Sequence, residues 1–421
     1  MIAPDGTLPK EMDVMNAARK KRLKAGQLDP TFGPGGMIIP ELGVTTSRVT
    51  ETADGKLLYL TSGNGASVFR VTAQGQDNDL AQPRNWTFRE DPNEDPFYAF
   101  TALLARDNGN FLIAGSTGDA FTRNIAISQF DASGNEDPYF KKNIFPLPGG
   151  VRRFQRLETH EPVACLAPDN HVLIAGSYRV SEDDGAPVKS AILIHRLDDK
   201  GVPDTSFNHT GTLEVQFNGG RTRGSAIAVL PDKRIVVFGT AETQTCSRAA
   251  MACFDPSGKP DPMFAHEGQW EGDDYTVFGK MIVHGNKIVI ATVGGDNESE
   301  HKIVVRRMLA DGSPDPSFAD GKPLQVPLDT SYLFPPSVAV QSDGKIVVSG
   351  TLGFGLKQMY WLRVRENGEG PDADFGEDGV VKAYPGRVQD VISQDGSKRI
   401  IVACGLEDSS GSSPRVFGIV R

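Results

Sequence analysis

Ser337 to Thr351 reads SVAVQSDGKIVVSGT: an apolar run, an Asp-Gly turn, and a β-branched run ending on glycine. Two short Val/Ile-rich segments around Asp-Gly form a β-hairpin. The same arrangement recurs as VTETADGKLLYLTSG from Val49, TALLARDNGNFLIAGS from Thr101, VACLAPDNHVLIAGS from Val163, AIAVLPDKRIVVFGT from Ala226, MIVHGNKIVIAT from Met281 and VISQDGSKRIIVACG from Val391. A hairpin repeated seven times along one chain is the mark of a repeat architecture.

A second element keeps phase with the first. An Asp-x-x-Phe turn appears in LDPTF at Leu28, EDPYF at Glu136, PDTSF at Pro203, PDPMF at Pro260, PDPSF at Pro314 and PDADF at Pro371, with a degenerate copy, QDNDL, at Gln76. The closing residues are Phe32, Leu80, Phe140, Phe207, Phe264, Phe318 and Phe375, spaced on average by about 57 residues. A third apolar strand follows each hairpin, for example AILIHRLDDKG at Ala191, and a fourth follows the turn, for example GTLEVQF at Gly211. Each unit therefore reads as a four-stranded antiparallel meander, and seven units predict an all-β, seven-bladed β-propeller.

The chain ends on the third strand of a unit, Arg415 to Arg421, and begins with the missing fourth, AGQLDPTFGPGGMIIP. Pairing Gly36 to Pro40 with the C-terminal strands closes the ring and removes an exposed sheet edge; an open solenoid is the alternative. The expected layout is a basic N-terminal segment, residues 1–25, and one propeller over residues 26–421. Within that segment Met12, Met15 and Ala18 at spacing three suggest a short helix, and Arg19-Lys20-Lys21-Arg22 could dock on the acidic ring, an acidic partner or a membrane surface.

The Gly-x-x-Asp-Pro-x-Phe-Gly turn, the Asp-Gly-Lys hairpin and the period near 57 resemble the delta-60 repeat family of bacterial tandem-repeat proteins, and the blade layout is similar to that of NHL-type propellers. The resemblance implies the fold and carries no activity with it. QDNDL, lacking both Pro and Phe, departs from the pattern.

Composition agrees. The 46 Gly and 28 Pro among 421 residues exceed ordinary usage and suit a turn-rich fold. A net charge of −10 argues against nucleic acid, whose phosphates call for clustered Lys and Arg. No apolar run approaches the ~18 residues of a membrane span. The N-terminus shows no secretory h-region, so a cytoplasmic location is the default, or export without a recognisable signal peptide. Cys165, Cys246, Cys253 and Cys404 form no CxxC pair; Cys165, Cys253 and Cys404 lie in apolar runs and read as buried free thiols.

The repeated aspartates invite a calcium reading, yet each turn supplies a single carboxylate followed by Pro or another turn residue. Capping of the turn by the carboxylate is the better account. Seven histidines are scattered over different repeat positions, and no HExxH, GxSxG or P-loop is present, so no catalytic residue, cofactor or metal is assigned.

Loop lengths divide the two faces of the ring. The loop from the third strand to the anchor Phe or Leu is nearly constant, whereas the second-to-third connections vary in length and content, as in GSYRVSEDDGAPVKS and GTLGFGLKQ. Function concentrates on variable loops of a rigid scaffold. Loops leading into each first strand share that face, and they carry the candidate ligand contacts Arg48, Tyr98, His160, Arg223, Tyr275, Tyr332, Phe334 and Arg387. Aromatic rings there could stack on sugars or anchor a peptide, and Arg could pair with a carboxylate. The expected function is non-catalytic binding of a glycan or protein; the alternatives are a hydrolase or lyase with its site in the axial funnel, or a scaffold module.

Overall fold

The computed structural model describes residues 23–88, 97–118, 123–146, 155–159, 162–182, 187–217, 221–243, 246–296, 301–328, 330, 332–353, 357–408 and 411–421. The expected N-terminal helix and its basic run lie outside the described residues. Those described are all-β, with two 3₁₀ turns, Pro34–Gly36 and Ala319–Gly321, and no α-helix among them.

The strands follow the hairpin pattern. Phe97–Ala105, Phe111–Gly118, Arg123–Phe130 and Asn143–Phe145 pair in sequence order into a four-stranded antiparallel sheet. Elsewhere the fourth strand of one meander runs without a break into the first of the next: Gln269–His284 and Val380–Gln394 each belong to two meanders, which merges neighbouring sheets into seven-stranded ones. The unit with the degenerate turn is reduced, its fourth strand being replaced by a single bridge between Ala66 and Trp86. At the chain's ends, Met37–Ile38 pairs antiparallel with Gly411–Val420, placing Met37 opposite Phe417 and Ile38 opposite Val416.

The Asp-x-x-Phe turns form a structural belt. One carboxylate oxygen of each aspartate caps the backbone N–H two residues on: Asp29 to Thr31 at 2.9 Å, Asp204 to Ser206 at 2.9 Å, Asp315 to Ser317 at 3.1 Å. In three of the turns the other oxygen takes an arginine of the third strand, Arg196 to Asp204, Arg307 to Asp315 and Arg363 to Asp372 at 2.7, 2.7 and 2.9 Å. The same guanidinium lies over the anchor ring, Arg307 above Phe318 at 5.0 Å and Arg363 above Phe375 at 4.6 Å. In these three turns capping and ion pairing thus occupy both oxygens.

Each anchor reaches into the next unit. The residue after it donates its N–H to the neighbour's turn carbonyl: Lys141 to Lys200, Asn208 to Ser257, Ala265 to Asp311, Ala319 to Asn367. The ring itself packs under the glycine of that turn. Gly312, at φ +79°, would place a Cβ 2.9 Å from the Phe264 ring, so both its backbone angle and its neighbour demand glycine. The degenerate unit keeps the contact with Leu80, which is buried against the backbone position of Gly134.

The belt fixes an acid limit. In Asp29, Asp204, Asp315 and Asp372 burial pushes the carboxyl up, but hydroxyl, backbone N–H, Lys and Arg donors outweigh it and hold the group below its usual value. A carboxylate depressed in the fold stabilises above its unfolded pKa of about 3.9, and that contribution is lost as pH falls through the folded value. Urea midpoints should therefore drop steeply below about pH 4, and less steeply in Asp204→Asn. Parallel pH profiles for the two proteins would refute this.

All four cysteines are free thiols. Cys253 and Cys404 are buried as expected; Cys165 is only half-buried, because its strand lines the axial channel.

Candidate functional site

The first strands of the meanders are Thr45–Glu51, Phe97–Ala105, Val163–Leu166, Arg221–Val229, Gln269–His284, Ser337–Val340 and Val380–Gln394. All seven contribute to the wall of one channel of about 560 Å³. Five of them slip register by one residue at a similar level, after Thr46, Phe100, Gly224, Thr276 and Val388. Such bulges turn side chains and carbonyls out of the ladder.

Cations take up those carbonyls. Arg48 donates from Nε to Thr101 O and from Nη1 to Ser47 O, with Gln389 O at 3.5 Å, while Lys280 Nζ donates to Ser225 O at 3.2 Å. Asp390 sits among them. Its carboxylate accepts the Val49 N–H at 3.3 Å, the Ser337 hydroxyl at 3.1 Å and the Val391 N–H at 3.0 Å, so it ties three first strands together. Burial raises its pKa against the opposing pull of Arg48 and Lys280.

Beside the bulges the channel adjoins a mouth of about 470 Å³. Arg48, Arg223, Phe334 and Arg387, far apart in sequence, line it together, with Lys280 and Phe278 beside them. Arg223 lies over Phe278 at 5.7 Å and Arg387 over Phe334 at 4.7 Å. Arg387 also pairs with Glu407 at 3.4 Å, a carboxylate it shares with Lys357.

The other sequence-predicted contacts are elsewhere. Tyr98 donates its hydroxyl to Asn64 O at 2.8 Å, with its ring against Phe100. Tyr275 is a ladder residue between Arg248 and Gly295. Tyr332 packs edge-on behind Phe334 at 5.1 Å and does not line the mouth. His160 lies outside the described residues. Lys280 and Phe278 escaped the sequence reading because they precede the apolar run at Met281 and only the bulge after Thr276 aims them at the axis. A second cavity of about 360 Å³ lies off the axis beside Trp270, where the buried Arg306 pairs with Asp274.

This geometry is that of a β-propeller, and a family model agrees. The domain of unknown function (DUF5122) beta-propeller matches residues 230–264 and 279–318, two successive stretches that each run from a hairpin to an anchor Phe. No curated protein matches the chain. Among solved structures, a streptogramin B lyase is 10% identical over 91% of this chain and 96% of its own, with a TM-score of 0.45. YCF48 from Cyanidioschyzon merolae is 12% identical over 90% and 97%, at 0.44, and the NanB sialidase from Streptococcus pneumoniae is 11% identical over 88% and 83%, at 0.45. At such identities and scores these likenesses bear on no activity.

Proposed function

We infer that the chain is a seven-bladed propeller over residues 26–421, closed by the Met37–Ile38 strand, and that it serves as a binding protein whose glycan or protein ligand enters the axial mouth on the variable-loop face. The observation that carries the reading is the convergence of Arg48, Arg223, Phe334 and Arg387 on a single cavity whose volume falls in the usual range for ligand pockets. The seven first strands around one channel, and the pairing of the chain's ends, support the ring. Glycoside hydrolysis uses two carboxylates. Among the described residues lining channel and mouth there is one, Asp390, already held by three donors, which favours binding over hydrolysis.

Glycan and peptide arrays probed with the full chain provide the test. Ligands so identified should bind at least about tenfold more weakly to Arg387→Ala and Phe334→Ala, as for truncated hot spots. Tyr98→Ala and Tyr275→Ala should leave affinity within about twofold. Equal binding by all four variants would remove the mouth from consideration.

A further inference from the structure

We propose that the ligand of the axial mouth is a sugar carrying a carboxylate, its acid group received by Arg223 and its ring face laid on Phe334. The inference rests on the binding reading above and adds the chemical class of the ligand.

The charges in the mouth are not equivalent. Arg48 and Lys280 are spent on the bulged carbonyls of Ser47, Thr101 and Ser225, and Arg387 is shared with Glu407. Arg223 is different: among the described residues it has no hydrogen bond or ion pair, only the Phe278 ring at 5.7 Å. A guanidinium offers five N–H donors in a fork that matches a carboxylate. Its setting is net positive, with Arg48, Lys280 and Arg387 against Asp390 and Glu407, in a chain whose net charge is −10. An anion is therefore drawn to this patch.

The walls argue for a ring over an extended peptide. Peptides commonly join a free sheet edge by continuing its ladder. Here the axial edges are broken by bulges after Thr46, Gly224, Thr276 and Val388, and by Pro335 and Pro336 just before the strand Ser337–Val340, so no continuous ladder is offered. Phe334 lines the mouth half-buried, with Tyr332 edge-on at 5.1 Å and Arg387 over its ring at 4.7 Å. A compact ring with an apolar face and a carboxylate at its edge fits both features.

Isothermal titration of the full chain with tri-galacturonate, its uncharged methyl ester and a glutamate-rich peptide tests the proposal. The acid should bind, should weaken as salt is raised, and should exceed the ester by about tenfold or more, the usual worth of a charge-assisted hydrogen bond. Arg223→Gln should weaken the acid by a similar factor and the ester by much less, with the melting temperature unchanged, and Arg223→Lys should retain part of the preference. If acid and ester bind alike and Phe334→Ala weakens both, the anion assignment is overturned and the binding reading stands. If the peptide binds and no uronide does, the sugar class is overturned. If none of the probes binds, the proposal fails, and the array experiment with Arg387→Ala then decides the broader reading on its own.

Discussion

Phe264→Ala is expected to cost about 3–5 kcal/mol of unfolding free energy, the range for deleting a fully buried aromatic ring. The ring has no exposed surface and belongs to a buried cluster with Leu230, Val236 and Met251 of its own meander and Ile288, Ile290 and Met308 of the following one. Its removal leaves a void between two meanders, which cannot close without giving up the hydrogen bond from Ala265 to the Asp311 carbonyl in the turn before Gly312. Met263, next in the chain and 81% exposed, is the control: Met263→Ala should change stability by less than about 0.5 kcal/mol. Urea unfolding of the two variants, monitored by tryptophan fluorescence, decides the matter. Equal costs would mean that the anchor does not wedge the sheets.

The second large effect is expected where the two ends of the chain meet. Arg399, 5% exposed, donates from Nε to Asp29 at 2.6 Å, from Nη2 to the Thr31 hydroxyl at 2.9 Å and from Nη1 to Ala73 O at 2.8 Å, and its guanidinium lies over Phe32 at 5.5 Å. Asp29→Ala leaves a buried guanidinium without its counter-charge and uncaps the turn, which typically costs about 3–5 kcal/mol. Because Asp29 keeps some solvent contact, the lower end of that range is expected here. Asp29→Ala/Arg399→Leu should recover part of the loss, since the stranded charge is gone. A double variant no more stable than Asp29→Ala would show that the pair does not carry the seam. Equivalent chemistry joins Arg196 to Asp204 only eight residues apart. The seam pair, by contrast, spans 370 residues, so limited proteolysis near residue 40 should accelerate in Asp29→Ala alone.

Much of the fold could be read from the chain because the repeat writes the same physics many times. The Asp of each turn must cap and the Phe must be buried, so those two positions stand out in unit after unit; where QDNDL lacks the Phe, Leu80 fills the same place and the unit loses its regular fourth strand. The candidate site was only half legible. Arg48, Arg223, Phe334 and Arg387 could be placed on the variable face from loop position alone, and the structure gathers them in one mouth. Tyr98, Tyr275 and Tyr332 carry the same loop signature, yet the rings of Tyr98 and Tyr332 pack on Phe100 and Phe334 and Tyr275 is a ladder residue outside the mouth, placements that composition does not reveal. Phe278 and Lys280 were hidden for the opposite reason: a one-residue bulge after Thr276 reverses which side chains face the axis, and nothing local in EGDDYTVFGK announces it.

The pairing of Met37–Ile38 with Gly411–Val420 also sets a schedule for biosynthesis. Synthesis runs from the N-terminus, so Met37–Ile38 is made long before its partner and must wait, unpaired, until Gly411–Val420 has emerged. Hairpins within each unit can form as they emerge, but the join between Met37–Ile38 and Gly411–Val420 has the greatest sequence separation of the strand pairs among the described residues and belongs at the end of folding. A chain stalled short of residue 411 would leave Met37–Ile38 and one edge of Arg399–Asp408 without their partner, a species suited to chaperone capture or to exchange of strands with a second nascent copy.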